Sequence, residues 1–516
     1  MKRLKSQVLI IGGGATGTGI ARDLALRGVR CILAERRGIN AGASGANHGL
    51  LHSGARYVRS DPLAAVECRE EGELLKKLAP QCIENTGGLF VAVRGDDENF
   101  AADFPLFCEK CGIPVRQVDL KEAGEIEPAL SKDLIAAFAV RDATVDPFRL
   151  SLENISQAVD LGTTLLLDSK VVGFSRRNNR VLKTHLLNAK TGEKIVVEAD
   201  EVINATGAWA AEVAALAGAH IDILYSKGSL LITDKRISTR VINRLRQSSD
   251  ADILVPGGTV SILGTTSVKI DTLDDIRPTI PEIDHLIDTA APMLPCLPTT
   301  RYVRAYAGVR PLIGSESLEN GRALSRGFAI VDHTREGLDN FVSIVGGKLT
   351  TYRRMAEKTA DLVCLRLGVR RPCVTRTQPL PARPECRWVV AGLAPKLWME
   401  KNDKSDLLLC ECEMVPKSAV DGIIDAIREQ GGAPDIYAIG RRSRIGKGTC
   451  QGAFCGIRIA AYMYDRGELN ADQGLDDLKA FLSSRWKGMR PMLWDATLIQ
   501  EELQEAMHCG LFGLDL

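Results

Sequence analysis

Cys410 and Cys412 in LLLCECE, then Cys450 and Cys455 in GKGTCQGAFC, make two close thiol pairs near the C-terminus. Four thiolates are the donor set of an iron–sulfur cluster or of a zinc ion. A Cys-x-Cys pair alone is weak, and reduced core or surface cysteines are its plain alternative. Two such pairs, each flanked by glycine or charge, favour ligation. A predicted helix, Ser418 to Glu429, and the basic turn GRRSRIGKG lie between them, enough chain to fold around a small centre. Zinc is the rival occupant, because four thiolates suit it equally. Cys108 and Cys111 in CEKC have no matching pair nearby and read as core or surface thiols.

The other end of the chain carries a second chemistry. In VLIIGGGATGTGIARDLALRGVRCILAE a short apolar run, Val8 to Ile11, precedes Gly12, Gly14 and Gly17 in Gly-x-Gly-x-x-Gly spacing. The first glycine permits the tight turn, the second lets backbone approach a pyrophosphate, and the third lets helix pack on strand. A helix from about Ala15 to Arg27 aims its N-terminus at the phosphates. A strand from Arg30 to Ala34 then delivers Glu35, where a ribose hydroxyl needs an acceptor. Acid rather than base at this position argues against a 2′-phosphate. Two further segments favour FAD over NAD. EVINATGAWA ends a strand at Ala205-Thr206-Gly207, and SIVGGKLTTYRRM places Gly346-Gly347 between a strand and a helix start. Backbone N–H groups there suit the negative charge of a reduced flavin.

The elements that must position these groups belong to a mixed α/β chain without repeats. Its 516 residues are too many for one ordinary domain. A hydrophobic fraction of 45% and a charged fraction of 25% fit a globular protein with a large core. A net charge of +1 gives no general pull toward nucleic acid or anionic membranes, and 5% aromatics leave little for base stacking. Fourteen irregularly spaced cysteines imply a reducing compartment. The apolar run near the start is too short for a signal peptide, and no segment has the apolar length of a membrane span. Pro379, Pro381 and Pro384 mark a linker, residues 372–404.

The motifs NHGLLHSGARY (Asn47 to Tyr57), DATVDPFRL (from Asp142), AYAGVRPL (from Ala305) and GGKLTTYR (from Gly346) resemble FAD-dependent glycerol-3-phosphate dehydrogenases, within the D-amino-acid-oxidase-like flavoproteins. The cysteine pairs and the segment SSRWKGMRPMLW extend the resemblance to the large subunit of the anaerobic, multi-subunit enzymes. It implies a Rossmann-type FAD domain (segments near 1–90, 150–220 and 325–371) and an inserted antiparallel substrate domain (91–149 and 221–324). After the linker it implies a small [2Fe–2S] domain of bacterioferritin-associated ferredoxin type (405–465) and a helical tail (466–516). The second cysteine pair is wider here than in that ferredoxin pattern.

The same resemblance assigns the flavin to Gly12, Gly14, Ala15, Thr16, Gly17, Glu35, Arg36, Ser44, His48, Val171, Ala205, Gly207, Gly347, Lys348, Leu349 and Thr350. It gives sn-glycerol 3-phosphate to Arg56, Tyr57, Tyr306, Arg310, Arg326 and Lys348, with His52, Arg56, Arg310 and Lys348 catalytic. Chemistry agrees: a dianionic head needs fixed cations, and arginine offers a two-pronged donor. Neutral histidine suits a hydroxyl proton. Electrons are expected to pass through partner subunits to a membrane quinone, which places the chain in the cytoplasm or at the inner face of the membrane. Two rivals stay open on the residues alone: the same fold acting on another hydroxy or amino acid, and a flavin redox sensor or scaffold with a zinc staple.

Overall fold

The computed structural model describes residues 1–314, 327–470 and 473–516. Its first sheet has eight strands. Strand Lys2–Ile11 runs parallel to Cys31–Ala34 on one side and to Lys194–Asn204 on the other. Thr164–Leu166 extends the parallel set beyond Cys31–Ala34, and Phe341–Gly346 extends it beyond Lys194–Asn204. Strands buried on both faces must be apolar throughout, as Val8–Ile11 and Cys31–Ala34 are. Helices Ala15–Leu26, Pro147–Asp160 and Tyr352–Arg366 cover one face. The hairpin Ser169–Arg177 with Arg180–Asn188 and the helix Ala210–Leu216 build the core on the other.

Gly12 shows why glycine is needed at the first turn. Its φ is +112°, and a Cβ there would lie 2.5 Å from the Ala205 carbonyl oxygen. Gly17 is the packing glycine: a Cβ would stand in the Gly12 carbonyl oxygen. Helix and first strand therefore touch backbone to backbone, as the motif predicts.

A second sheet of nine strands combines Gly88–Val93, Arg116–Gln117 and Leu134–Val140 with strands from Ile223 to Ile313. Its pairings are antiparallel except Gly88–Val91 with Val241–Arg244. The strand Tyr302–Ile313 runs through Pro311, which lies opposite Tyr225. Proline is tolerated where its missing N–H is not needed by a neighbour, as at a sheet edge.

The C-terminal residues form a third core. Helices Lys417–Glu429, Ile436–Arg442, Cys455–Asp465 and Gln473–Met489 pack around Ile423, Ile459 and Phe481, with the small hairpin Leu408–Cys410 and Val415–Pro416 alongside. The segment read as a linker contains a helix, Leu393–Lys401, whose Ala394 joins this core. Met492 and Trp494, after the last long helix, pack instead on the second sheet. No helix of the described residues is long and apolar enough to cross a membrane.

Candidate active site

A cavity of about 420 Å³ opens where the first sheet's carboxyl ends meet the second sheet. Its floor is the glycine turn, with Gly12, Gly14, Ala15 and Thr16 at the start of helix Ala15–Leu26. The first N–H groups of that helix have no partners inside it and carry the positive end of its dipole. Ser44 Oγ accepts from the Ala15 N–H at 3.0 Å. Glu35 Oε2 accepts from the Gly13 N–H at 2.7 Å and Oε1 from the Arg37 N–H at 2.9 Å, so the carboxylate is fixed at the cavity wall. Arg36 lies over the Trp209 ring at 3.9 Å, a flat cationic clamp beside it. Val171, Ala205, Gly207, Gly347, Lys348, Leu349 and Thr350 complete this end of the lining. Gly17 does not line the cavity; it packs behind Gly12. These features fit a dinucleotide: a backbone cradle that a Cβ would fill, a helix N-terminus, and an acid for a ribose.

The other end gathers the polar side chains. His48, His52, Arg56, Tyr57, Arg310 and Lys348 all line it. Lys348 Nζ sits 4.7 Å from the centre of the Tyr57 ring, and Tyr57 Oη lies 3.5 Å from His52 Nε2. The Thr350 hydroxyl accepts from the His52 N–H at 3.2 Å, so the loop after Gly347 holds the histidine's backbone. Buried Asp142, in DATVDPFRL, accepts from the Ser53 N–H at 2.7 Å and from Asn243 Nδ2 at 3.1 Å. It fixes the residue next to His52 from the second sheet. Arg310 donates to Ser226, Thr265 and Thr266 and lies against Gly228, where a side chain would displace it.

Arg56 is differently placed. Its Nη2 pairs with the buried Asp252 carboxylate at 2.7 Å, and Asp252 also receives Arg246. Tyr306 does not reach this cavity at all. Its hydroxyl donates to the Asn47 carbonyl oxygen at 2.7 Å, and its ring faces a second cavity behind the loop Ala41–His48. Arg326 falls outside the described residues. Sequence reasoning passed over Asp142 as a positioning group and Trp209 as a clamp. Both stand within the motifs DATVDPFRL and EVINATGAWA, and an acid two residues past a strand end was the available signal.

Both histidines are held neutral. Burial pushes His48 down to about 3, with Arg310 and Arg56 adding to the effect. His52 is lowered well below its usual value by burial first, then by His48, Lys348 and Arg56. His48 Nδ1 accepts the Leu50 N–H at 3.2 Å, which is possible only for an unprotonated nitrogen. A folded-state pKa below the unfolded value contributes stability above the unfolded pKa, near 6.5, and loses it as pH falls from there toward the folded value. We expect the imidazole resonances of His52 in the substrate-free protein to keep neutral-form shifts as pH falls through the usual histidine midpoint near 6.5. A midpoint near 6.5 by NMR would contradict this burial.

The four C-terminal thiols also meet. Cys410 Sγ and Cys412 Sγ are 3.7 Å apart, as are Cys412 Sγ and Cys450 Sγ. Cys455 adjoins both Cys410 and Cys450. Four sulfurs at metal bonds of about 2.3 Å in a tetrahedron lie about 3.8 Å apart, close to these two separations. Crowding pushes Cys410 and Cys455 up to about 12, while thiol donors and the Gly452 and Phe454 N–H groups pull Cys450 down. Among the described residues no group of three or more His, Cys, Asp or Glu is already arranged as a metal site. The donor set fits a metal centre by chemistry and by its two close contacts.

Comparison with known proteins decides the family. Residues 7–353 match the family model described as FAD dependent oxidoreductase. A subunit of the anaerobic glycerol-3-phosphate dehydrogenase of Escherichia coli is 43% identical over 99% of this chain and 97% of its own length. The protein of the same name in Haemophilus influenzae is 39% identical over 100% and 94%. The chain belongs to this family. Among solved structures, the glycerol-3-phosphate dehydrogenase of Bacillus halodurans complexed with FAD superimposes with a TM-score of 0.67 at 21% identity, over 95% of this chain and 96% of that one. In family terms, the glycine turn and Glu35 lie within the matched FAD-dependent region, whereas the cysteine quartet lies beyond it.

Proposed function

We propose that this chain oxidises sn-glycerol 3-phosphate to dihydroxyacetone phosphate. The observation that carries the reading is neutral His52 in one cavity with Arg310, Lys348 and a dinucleotide cradle. When bound, FAD supplies the acceptor for the hydride on the carbinol carbon. Arg310 and Lys348 hold the phosphate and set the carbinol against His52. Neutral His52 accepts the hydroxyl proton, and the Tyr57 ring, 5.2 Å from the imidazole centre, packs against it. The cations also favour an alkoxide over the alcohol, which lightens the base's task. Arg56, already paired with Asp252, shapes the field rather than clamping the phosphate.

The four thiols would hold a [2Fe–2S] cluster, a one-electron carrier, with zinc as the alternative; their proximity and the relatives from anaerobic enzymes support this. Those relatives are themselves subunits of a larger enzyme, which supports partner subunits here, and electron delivery through them to a membrane quinone is part of the proposal. We place the chain in the cytoplasm, held at the membrane by those partners. The boundaries we propose are 1–371 for the flavin and substrate parts, 372–404 for the connection, 405–465 for the thiol-bearing part and 466–516 for the tail.

The decisive experiment is anaerobic: glycerol 3-phosphate added to the FAD-loaded chain should bleach the flavin band within seconds. Bleaching by another hydroxy or amino acid, with none by glycerol 3-phosphate, would move the activity to that substrate. Glu35→Ala should weaken FAD binding by about 1–3 kcal/mol, since it removes a charged acceptor of two N–H groups as well as the ribose contact. Titration of the apoprotein with FAD checks this, and an unchanged affinity would remove Glu35 from the site.

A further inference from the structure

A cavity of about 970 Å³, larger than the substrate cavity, lies between the loop Arg37–Gly49, the second sheet and the C-terminal core. Eight Lys or Arg side chains line it against four Asp or Glu. Part of that charge is matched inside the chain. Lys190 pairs with Asp168 and Asp435, and Arg444 with Glu413. Arg442 donates to Gln430 at 2.9 Å. Among the described residues, Arg304, Arg441, Lys447 and Arg485 form no salt bridge, although Asp146 and Glu413 act on Lys447 and Asp435 on Arg441 from farther away. Buried Nε atoms of Arg304 and Arg485 have no hydrogen-bond partner of any kind.

Four cations crowded around one space are costly, because each disfavours the charge of the next. Burial, reinforced by neighbouring arginines, pushes Lys447 down to about 7 and Arg485 down to about 9. Such a cluster is balanced by an anion from outside. The remaining walls say what else that anion carries. Lys447 Nζ lies 4.6 Å from the Phe148 ring centre, Arg441 lies 5.3 Å from that of Tyr437, and Tyr306 supplies a third ring. Rings and cations in a concave site of this volume suit a small molecule with a flat ring and a phosphate. We propose that this cavity is a second ligand site, for a phosphate-bearing organic anion of mononucleotide size held by Arg304, Arg441, Lys447 and Arg485. The site is separate from the substrate cavity but shares its wall, the loop Ala41–His48, which lines both. An occupant would therefore press on the loop that carries His48.

Calorimetry on the FAD-saturated full chain tests the proposal with inorganic pyrophosphate, AMP and adenosine. Pyrophosphate and AMP should bind, with adenosine at least about tenfold weaker, and AMP should raise the melting temperature. The double variant Lys447→Gln with Arg485→Gln should weaken AMP at least about tenfold, and Arg485→Lys should keep most of the binding. Retained flavin absorbance checks that the variants fold. AMP binding should persist in Arg310→Ala, whose missing cation belongs to the other cavity. No heat with AMP or pyrophosphate up to about 10 mM would overturn the proposal. So would AMP binding that vanishes in Arg310→Ala, or a poly-glutamate peptide that binds where AMP does not, which would assign the surface to an acidic protein partner.

Discussion

Arg310→Ala should lower kcat/KM for glycerol 3-phosphate by about 2–5 kcal/mol, or roughly 30- to 5,000-fold. The guanidinium is held by Ser226, Thr265 and Thr266 in the wall of the cavity that contains His52, so its place is fixed before substrate arrives. A preset fork loses little entropy on meeting a phosphate, and its removal leaves a dianion poorly balanced. The comparison that separates recognition from structure is phosphate-free glycerol. It is a poor substrate at best and should lose far less. Equal losses on both would mean that Arg310 serves the hydrogen bonds of its own sheet. Arg310→Lys should fall between, since one ammonium cannot replace two parallel donors.

The second large effect is expected at the thiols. On the proposed reading, Cys410→Ser or Cys450→Ser should lose the metal centre while glycerol 3-phosphate still reduces the flavin. Cys410 is buried at the edge of the C-terminal core, and Cys455 opens a helix within it, so these thiols are part of that core's architecture. Metal binding by four thiolates contributes about 10–16 kcal/mol in small structural zinc sites, and that free energy becomes folding free energy. Losing one ligand should therefore lower the melting temperature of this core and remove absorbance that is not flavin. Elemental analysis of anaerobically purified protein measures both sides of the claim. Iron in the parent and neither iron nor zinc in the variants is the expected result. Zinc in the parent would leave a structural staple, and equal metal in parent and variants would remove the quartet from ligation.

How much the sequence disclosed depended on the reach of each interaction. The glycine turn, its helix and Glu35 were legible because their geometry is local: a tight turn, a helix start and the next strand follow within a few residues. That the two cysteine pairs converge was legible from their close spacing within each pair. The pairing of Arg56 was not, because its partner Asp252 comes from a segment 196 residues away, which no local pattern reveals. Tyr306, given to the substrate by resemblance, lines the second cavity instead. Arg304 and Tyr306 share the face toward the second cavity, whereas Arg310 joins the substrate cavity farther along the same strand. The segment GRRSRIGKG read as a basic turn; the crowding of its charges with Arg304 and Arg485 exists only in three dimensions.

The order of strands in the first sheet has a consequence for biosynthesis. Strand Lys2–Ile11 emerges first, yet its neighbour Lys194–Asn204 and the next strand, Phe341–Gly346, come much later. The cavity takes residues from Ile11 to Met355. At about 5–20 residues per second, the N-terminal strand waits roughly 20–70 s on the ribosome before its cofactor cradle can close. Such non-local pairing makes folding slow and leaves an apolar strand edge open meanwhile. Flavin uptake must therefore be a late event in the life of the nascent chain, and the interval before it is when chaperones have most to protect.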